Sequence, residues 1–158
     1  MKSARNQAAV PAVGVGKRGE QGHIGYLLRQ AGVAHRIRME RALSELGLTL
    51  PQFSVLTMLV AYPGASGAEL ARLSLLTPQT MSVIVANLER AGAVLRRPHA
   101  VHGRIQHIEA TAAGRQLLAQ CRARVQAVEE ELLRAVSASE EKIIRRWLVQ
   151  VALGAPAH

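Results

Sequence analysis

The chain has 158 residues, of which 49% are hydrophobic and 20% charged; that is enough apolar material for one buried core with attached helices, and it excludes wholesale disorder. Twenty Lys and Arg against eleven Asp and Glu leave a formal charge of +9, the balance expected of a protein that meets a polyanion. Aromatic residues make up only 3% (Tyr26, Phe53, Tyr62 and Trp147), too few for a module that stacks single-stranded bases on exposed rings, and a single cysteine, Cys121, excludes an intramolecular disulfide framework and a cysteine-rich metal module.

Residues 1–22 are rich in Ala, Gly, Val and basic side chains without helical periodicity, which predicts a flexible basic tail. Pro11, Gly14 and Gly16 interrupt its apolar stretch, so it is too weak for the core of a signal peptide. A helix is predicted from about His23 to Leu46, with Ile24, Leu27, Leu28, Ala31 and Ala34 as its apolar stripe and Gly47 as its stop. Leu46 to Ala68 carries no charge and has bilayer-spanning length, but Pro51, Gln52, Pro63 and several hydroxyls break it up. It reads instead as a buried core helix and a turn: Thr49 and Gln52 have capping-box spacing ahead of Phe53, Val55, Leu56, Leu59 and Val60, and Pro63-Gly64 stops the run. The chain is accordingly expected to be soluble and cytoplasmic, with no membrane partner.

Ser66 and Glu69 form a second S-x-x-E box, which starts a helix through Leu70, Ala71 and Leu73. Thr77-Pro78 then offers a capping hydroxyl followed by proline at the first helical position, where its missing N–H costs nothing. Leu76 has hydrophobic-staple spacing to Met81. The helix runs to Ala91, and Gly92 is its stop. Two short helices joined by a tight turn make a helix-turn-helix. Beyond them, Ala93 to Arg97 and Arg104 to Ala110 are strand-like around the tip Pro98-His99-Ala100-Val101-His102-Gly103, which predicts a β-hairpin with a basic tip. Thr111 caps a long helix to about Val136, with Leu118, Cys121, Val125, Val128 and Leu132 in 3–4 spacing. Ser139 starts a last helix carrying Ile143, Ile144, Trp147, Leu148 and Val151 on one side.

At 100° per residue, Met81, Ile84, Val85 and Leu88 share one arc and face the core. The opposite arc carries Gln79, Ser82, Val83, Ala86, Asn87 and Arg90. A solvated helix would normally carry more Lys and Glu. Amides instead make paired hydrogen bonds to adenine, hydroxyls reach bases or phosphates, and Val or Ala touches a thymine methyl. In the hairpin, Arg96, Arg97 and Arg104 flank a tip with His99 and His102, and no acid lies between Glu89 and Glu109. Arginine at such a tip can enter a minor groove, where phosphates concentrate negative potential. The candidate DNA-binding set is Ser66, Thr77, Gln79, Thr80, Ser82, Val83, Asn87, Arg96, Arg97, His102 and Arg104.

Over about residues 23–153 the chain resembles MarR-type transcriptional regulators (the multiple antibiotic resistance regulator family). The matching stretches are Gly47-Leu48-Thr49-Leu50-Pro51-Gln52-Phe53, Ser66-Gly67-Ala68-Glu69-Leu70-Ala71, Thr77-Pro78-Gln79-Thr80-Met81, Asn87-Leu88-Glu89-Arg90-Ala91-Gly92 and Thr111-Ala112-Ala113-Gly114-Arg115, in that order and spacing. The resemblance implies a mainly α fold with a small β wing: a winged helix-turn-helix over 47–111, flanked by dimerisation helices over 23–46 and 112–153. It implies an obligate dimer, a pseudo-palindromic site on double-stranded DNA, and release by a small aromatic or phenolic acid. On the same footing it assigns Tyr26, Arg29, Arg36 and Phe53 to the ligand and Arg104 to the minor groove. The family's wing usually has Asp-x-Arg, whereas this chain has His102-Gly103-Arg104, which changes whatever local pairing orients that Arg. The sequence also argues for a dimer independently, because a lone winged helix has no use for the apolar faces within 24–34, 117–132 and 143–151.

Cys121 lies on an apolar stripe beside Arg122 and Arg124, and reads as a small buried hydrophobe rather than a redox sensor. His99, His102 and His107 are too few for a zinc site without a fourth donor, for which Glu109 is the one neighbour. No phosphate-cradling glycine loop, G-x-S-x-G or H-E-x-x-H is present, so neither an enzyme nor a cofactor or metal is expected. The expected function is a dimeric, sequence-specific regulator, a repressor released by its ligand. The alternative is a winged-helix module for nonspecific nucleic-acid binding or protein assembly.

Overall fold

Five short-range capping arrangements start helices among the described residues where the hydroxyls of Thr49, Ser66, Thr77, Thr111 and Ser137 stand. The computed structural model describes residues 10–98 and 106–154, in the order α1 (Ile24–Ser44), α2 (Leu50–Ala61), α3 (Gly67–Leu73), α4 (Pro78–Arg90), β1 (Val94–Pro98), β2 (Gln106–Ala110), α5 (Ala112–Leu133) and α6 (Ala138–Leu153). Thr49 caps α2 and is capped in return by Gln52. Ser66 and Glu69 do the same for α3, and the Thr77 hydroxyl accepts from the Thr80 N–H at the start of α4. The last helix begins at Ala138, its cap two residues ahead of the predicted Ser139, because Ser137 pairs with Glu140 in a full capping box. The long α5 stops at Leu133, short of Val136, with Arg134 as its C-cap. Each side-chain cap satisfies backbone donors that the helix itself leaves orphaned, a contribution of roughly 1 kcal/mol per cap.

The chain forms two compact units, residues 1–38 and 39–158. In the first, the segment ahead of α1 is bonded to itself and to α1. Gly16–Arg18 forms a 3-10 turn, and Gly14 N–H donates to the Arg18 carbonyl at 3.0 Å. Gln30 Nε2 donates to that same carbonyl at 3.1 Å, and Arg18 Nη1 donates to the Pro11 carbonyl at 2.7 Å. Helical periodicity misses such a turn, since three residues present no repeating face.

In the second unit α2 lies at the centre, packed on α3, α4, α5 and β2. The core joins Leu43, Val55, Leu56, Leu70, Met81, Val85, Leu88, Val94, Ile108, Leu118 and Cys121, and burying each large aliphatic side chain contributes roughly 1.5–3 kcal/mol. Leu76 packs partly buried against this core, to which Met81 belongs. β1 and β2 are antiparallel, with Val94 opposite Ala110, Arg96 opposite Ile108 and Pro98 opposite Gln106. The N-cap of α5 follows directly on this sheet. Thr111 N–H donates to the Ala93 carbonyl at 3.0 Å, its hydroxyl donates to the Gly92 carbonyl at 2.6 Å, and it accepts from the Gly114 N–H at 3.0 Å. Among the described residues no helix is long and apolar enough to cross a membrane.

Candidate nucleic-acid interface

The amphipathic reading of α4 translates directly into burial. Met81, Ile84, Val85 and Leu88 are buried, which fixes the rotation of the helix and leaves Gln79, Thr80, Ser82 and Val83 exposed. Val83 is 57% exposed, although an apolar residue normally seeks the core; its place on this arc suits a thymine methyl. Ser82 donates to the Pro78 carbonyl at 3.0 Å, which orients the hydroxyl while its oxygen can still accept. Thr77 and Thr80 join their hydroxyls at 2.9 Å. Asn87 is half-buried, and its Oδ1 accepts from Arg90 Nη2, so its amide N–H groups remain the outward donors. The arc therefore presents one amide, hydroxyls, methyls and a second amide over three turns, with Arg90 at the far end.

Ser66, another of the candidate residues, is held in the cap of α3. Its hydroxyl and its N–H both donate to Glu69 Oε2 at 2.8 Å. Those bonds hold the Glu69 carboxyl below the usual carboxylate range, the backbone bond most strongly, with the Ser66 hydroxyl, Arg72 and His107 adding to it. Gly67 and Ala68 of α3, Pro78 and Ser82 of α4, and Arg96 and Ile108 of the sheet line one cleft of about 310 Å³. The fold thus brings the Arg96 strand against the α3–α4 pair, as a winged helix-turn-helix requires.

The wing arginines are not surrounded only by basic groups. Arg96 Nε lies 3.2 Å from Glu89 Oε2, and Arg97 Nε lies 3.0 Å from Glu109 Oε2. The absence of acids between positions 89 and 109 holds in sequence, but the two bounding acids fold back onto both arginines. The strand register explains the second pair: His107 stands directly opposite Arg97, and Glu109 is its diagonal neighbour, within reach of a long side chain. These exposed pairs add little stability, but they orient each guanidinium. His107 ties the wing to the helices: its Nδ1–H donates to the Gly64 carbonyl at 2.8 Å, and its backbone bridges Ser66. His99, His102 and Arg104 lie outside the described residues. Among the described residues no three His, Cys, Asp or Glu side chains come together as a metal set.

Of the candidate ligand residues, Tyr26, Arg29 and Arg36 are exposed along α1, at spacings that share one side of a helix. The Tyr26 hydroxyl donates to Gln30 Oε1 at 3.3 Å. Phe53, on α2, is half-buried and packs against the core of the second unit. Cys121 is fully buried in that core, and burial pushes its thiol up.

A family model described as MarR family matches residues 46–105, a span that takes in α2, α3, α4 and β1. The HTH-type transcriptional repressor Rv2887 of Mycobacterium tuberculosis is 42% identical over 125 residues, 79% of this chain and 90% of the relative. The chain belongs to the MarR family. Solved structures agree. The crystal structure of Rv2887 in complex with DNA superposes with a TM-score of 0.66 at 39% identity, covering 85% of this chain and 99% of that one. Rv2887 in complex with salicylic acid gives 0.66 at 39% identity, covering 84% and 98%. Within the MarR family, α3 and α4 are this chain's helix-turn-helix, and β1 and β2 are the strands of its wing.

Proposed function

We propose that this MarR-family chain is a dimeric, sequence-specific DNA-binding transcriptional regulator of the cytoplasm, a repressor released by a small aromatic or phenolic acid, and not an enzyme. The observation that carries the reading is the exposed arc of α4. Gln79, Ser82, Val83 and Asn87 offer hydrogen-bond and methyl chemistry matched to base edges, on a helix whose other side is fixed by burial. Arg96, Arg97 and, from the sequence, Arg104 supply the sequence-independent attraction to phosphates. The complexes of Rv2887 with DNA and with salicylic acid support both halves of the reading, and Tyr26, Arg29, Arg36 and Phe53 are the residues proposed to meet the acid. Dimerisation is supported by α6, which has no buried residue while Ile143, Ile144, Trp147, Leu148 and Val151 are all exposed. A second copy of the chain is the partner proposed to cover this face, and a two-fold dimer would read half-sites about one helical turn, ~34 Å, apart.

The test is fluorescence anisotropy on duplex DNA from directly upstream of the protein's own gene, against a shuffled duplex of equal length, near physiological salt, with and without salicylate. Selective binding that weakens with salicylate is expected. Selective binding indifferent to the acid would overturn the ligand class alone, and equal binding to both duplexes would leave only a basic DNA-coating module.

A further inference from the structure

α3 ends in a Schellman motif. Leu76 N–H donates to the Ala71 carbonyl at 2.9 Å and Leu75 N–H to the Arg72 carbonyl at 3.2 Å, a pairing that forces the residue after the C-cap into the left-handed region. That residue is Leu75, at φ +56°, the one non-glycine at positive φ among the described residues. α4 ends with the same two bonds, Ala93 N–H to the Leu88 carbonyl at 2.9 Å and Gly92 N–H to the Glu89 carbonyl at 3.0 Å. There the equivalent position is Gly92, at φ +71°, which bears this backbone without a Cβ penalty. The chain therefore uses glycine where the motif only ends a helix, and leucine in the turn that leads into α4.

The two closing hydrogen bonds hold this backbone, and the side chain itself adds nothing to offset its cost. The Leu75 side chain is 91% exposed, so it contributes no burial to the core. Its position supplies the reason for keeping it. It stands two residues ahead of Thr77, the N-cap of α4, and two residues of chain reach at most ~7 Å. The N-terminal end of a groove-reading helix is the end that meets base edges, so Leu75 shares that end with Gln79. A leucine offers nothing to a phosphate; its chemistry suits a thymine C5-methyl or the apolar face of a deoxyribose. A left-handed non-glycine backbone whose own side chain buries nothing is the kind of strain that persists at sites of function.

We infer that Leu75 makes an apolar contact with the bound duplex and contributes to its selection. The inference rests on the regulator reading above. Its test uses the full chain and the upstream duplex, with Leu75→Gly, Leu75→Asn and Leu75→Met. Gly and Asn tolerate the left-handed region, so both variants should melt at or above the parent, yet bind the duplex about tenfold more weakly, while Met should stay within about twofold. Duplexes with deoxyuridine replacing each thymine in turn separate the two apolar sources. A position that weakens the parent but not Leu75→Gly marks a thymine methyl, and no such position marks a deoxyribose. Parental affinity in Leu75→Gly, or equal loss in Leu75→Met and Leu75→Gly, would overturn the contact and leave the regulator standing. A parent that does not distinguish its upstream duplex from the shuffled one would overturn the regulator reading, and the contact with it.

Discussion

Gln79 sits in the first turn of α4, exposed, with its neighbours Thr77 and Thr80 engaged in the cap. An amide there can form the paired hydrogen bonds that adenine offers in the major groove. Gln79→Ala is expected to cost ~1–3 kcal/mol of binding at one base position and little elsewhere, read by anisotropy on a set of single-base-substituted duplexes. An equal loss on every duplex would remove direct readout from Gln79. Cys121 gives the opposite kind of residue-scale expectation. It is fully buried and its thiol is pushed up by that burial, so the reactive thiolate is scarce near neutral pH. Timed labelling with a thiol reagent should leave the native protein unmodified and react rapidly once denaturant unfolds it. Fast labelling of the native state would reopen a sensing role for this cysteine.

At the scale of elements, the contact between α5 and the start of β1 is set by an absent side chain. A Cβ on Gly114 would lie 2.0 Å from the Ala93 carbonyl oxygen and 2.8 Å from its carbon, and backbone of this kind has no rotamer with which to move aside. Gly114→Ala should therefore destabilise the protein by about 3 kcal/mol, as overpacking against rigid neighbours does, measured by urea denaturation. A change within ~0.5 kcal/mol would mean that α5 slides freely over the sheet. The capping boxes of α3 and α6 give a pH dependence. The Glu69 carboxyl is lowered by the Ser66 backbone and hydroxyl bonds, and the Glu140 carboxyl by the Ser137 hydroxyl and backbone bonds. A carboxylate whose folded pKa lies below its unfolded one contributes stability in full above the unfolded value. That contribution is lost as the pH falls through the folded one. Both helices should loosen below about pH 4, and Glu69→Gln with Glu140→Gln should flatten the acid limb of a urea-denaturation series. An unchanged limb would assign acid sensitivity to other carboxylates.

At the scale of the whole molecule, the exposed apolar face of α6 is the surface proposed above to meet a second copy. Leucines and a tryptophan left in water on a sixteen-residue helix form the kind of patch that marks an interaction surface. Leu148→Glu should convert a dimer to a monomer in sedimentation equilibrium and weaken DNA binding, since one half-site then binds without its neighbour. The core of α2, α3, α4 and the sheet is expected to survive this change, with its cooperative melt retained. A variant that stays dimeric would move the interface away from this face of α6.

The starts of α2, α3 and α4 were legible because their determinants are hydrogen bonds between residues three apart: Thr49 with Gln52, Ser66 with Glu69, Thr77 with Thr80. Such bonds depend on spacing alone. The buried arc of α4 was legible for the same reason, since helical geometry fixes which residues share a face. The start of α6 is equally local, since Ser137 and Glu140 carry the same S-x-x-E spacing, and it differs from the Ser139 start expected above only because two serines stand two residues apart there. The remaining features were decided by the tertiary structure. Glu89 and Glu109 reach Arg96 and Arg97 only because the strand register and the end of α4 bring them there. His107 meets the Gly64 carbonyl across 43 positions of chain. Leu75 is only one apolar residue among several until the bonds closing α3 force its backbone to the left-handed side and leave its side chain in solvent. The sequence by itself determined the helices and the chemistry of the face they present, because those follow from local periodicity and capping. Ion pairing, the anchoring of the wing and the exposure of Leu75 required the fold, because packing alone brings distant residues within bonding distance.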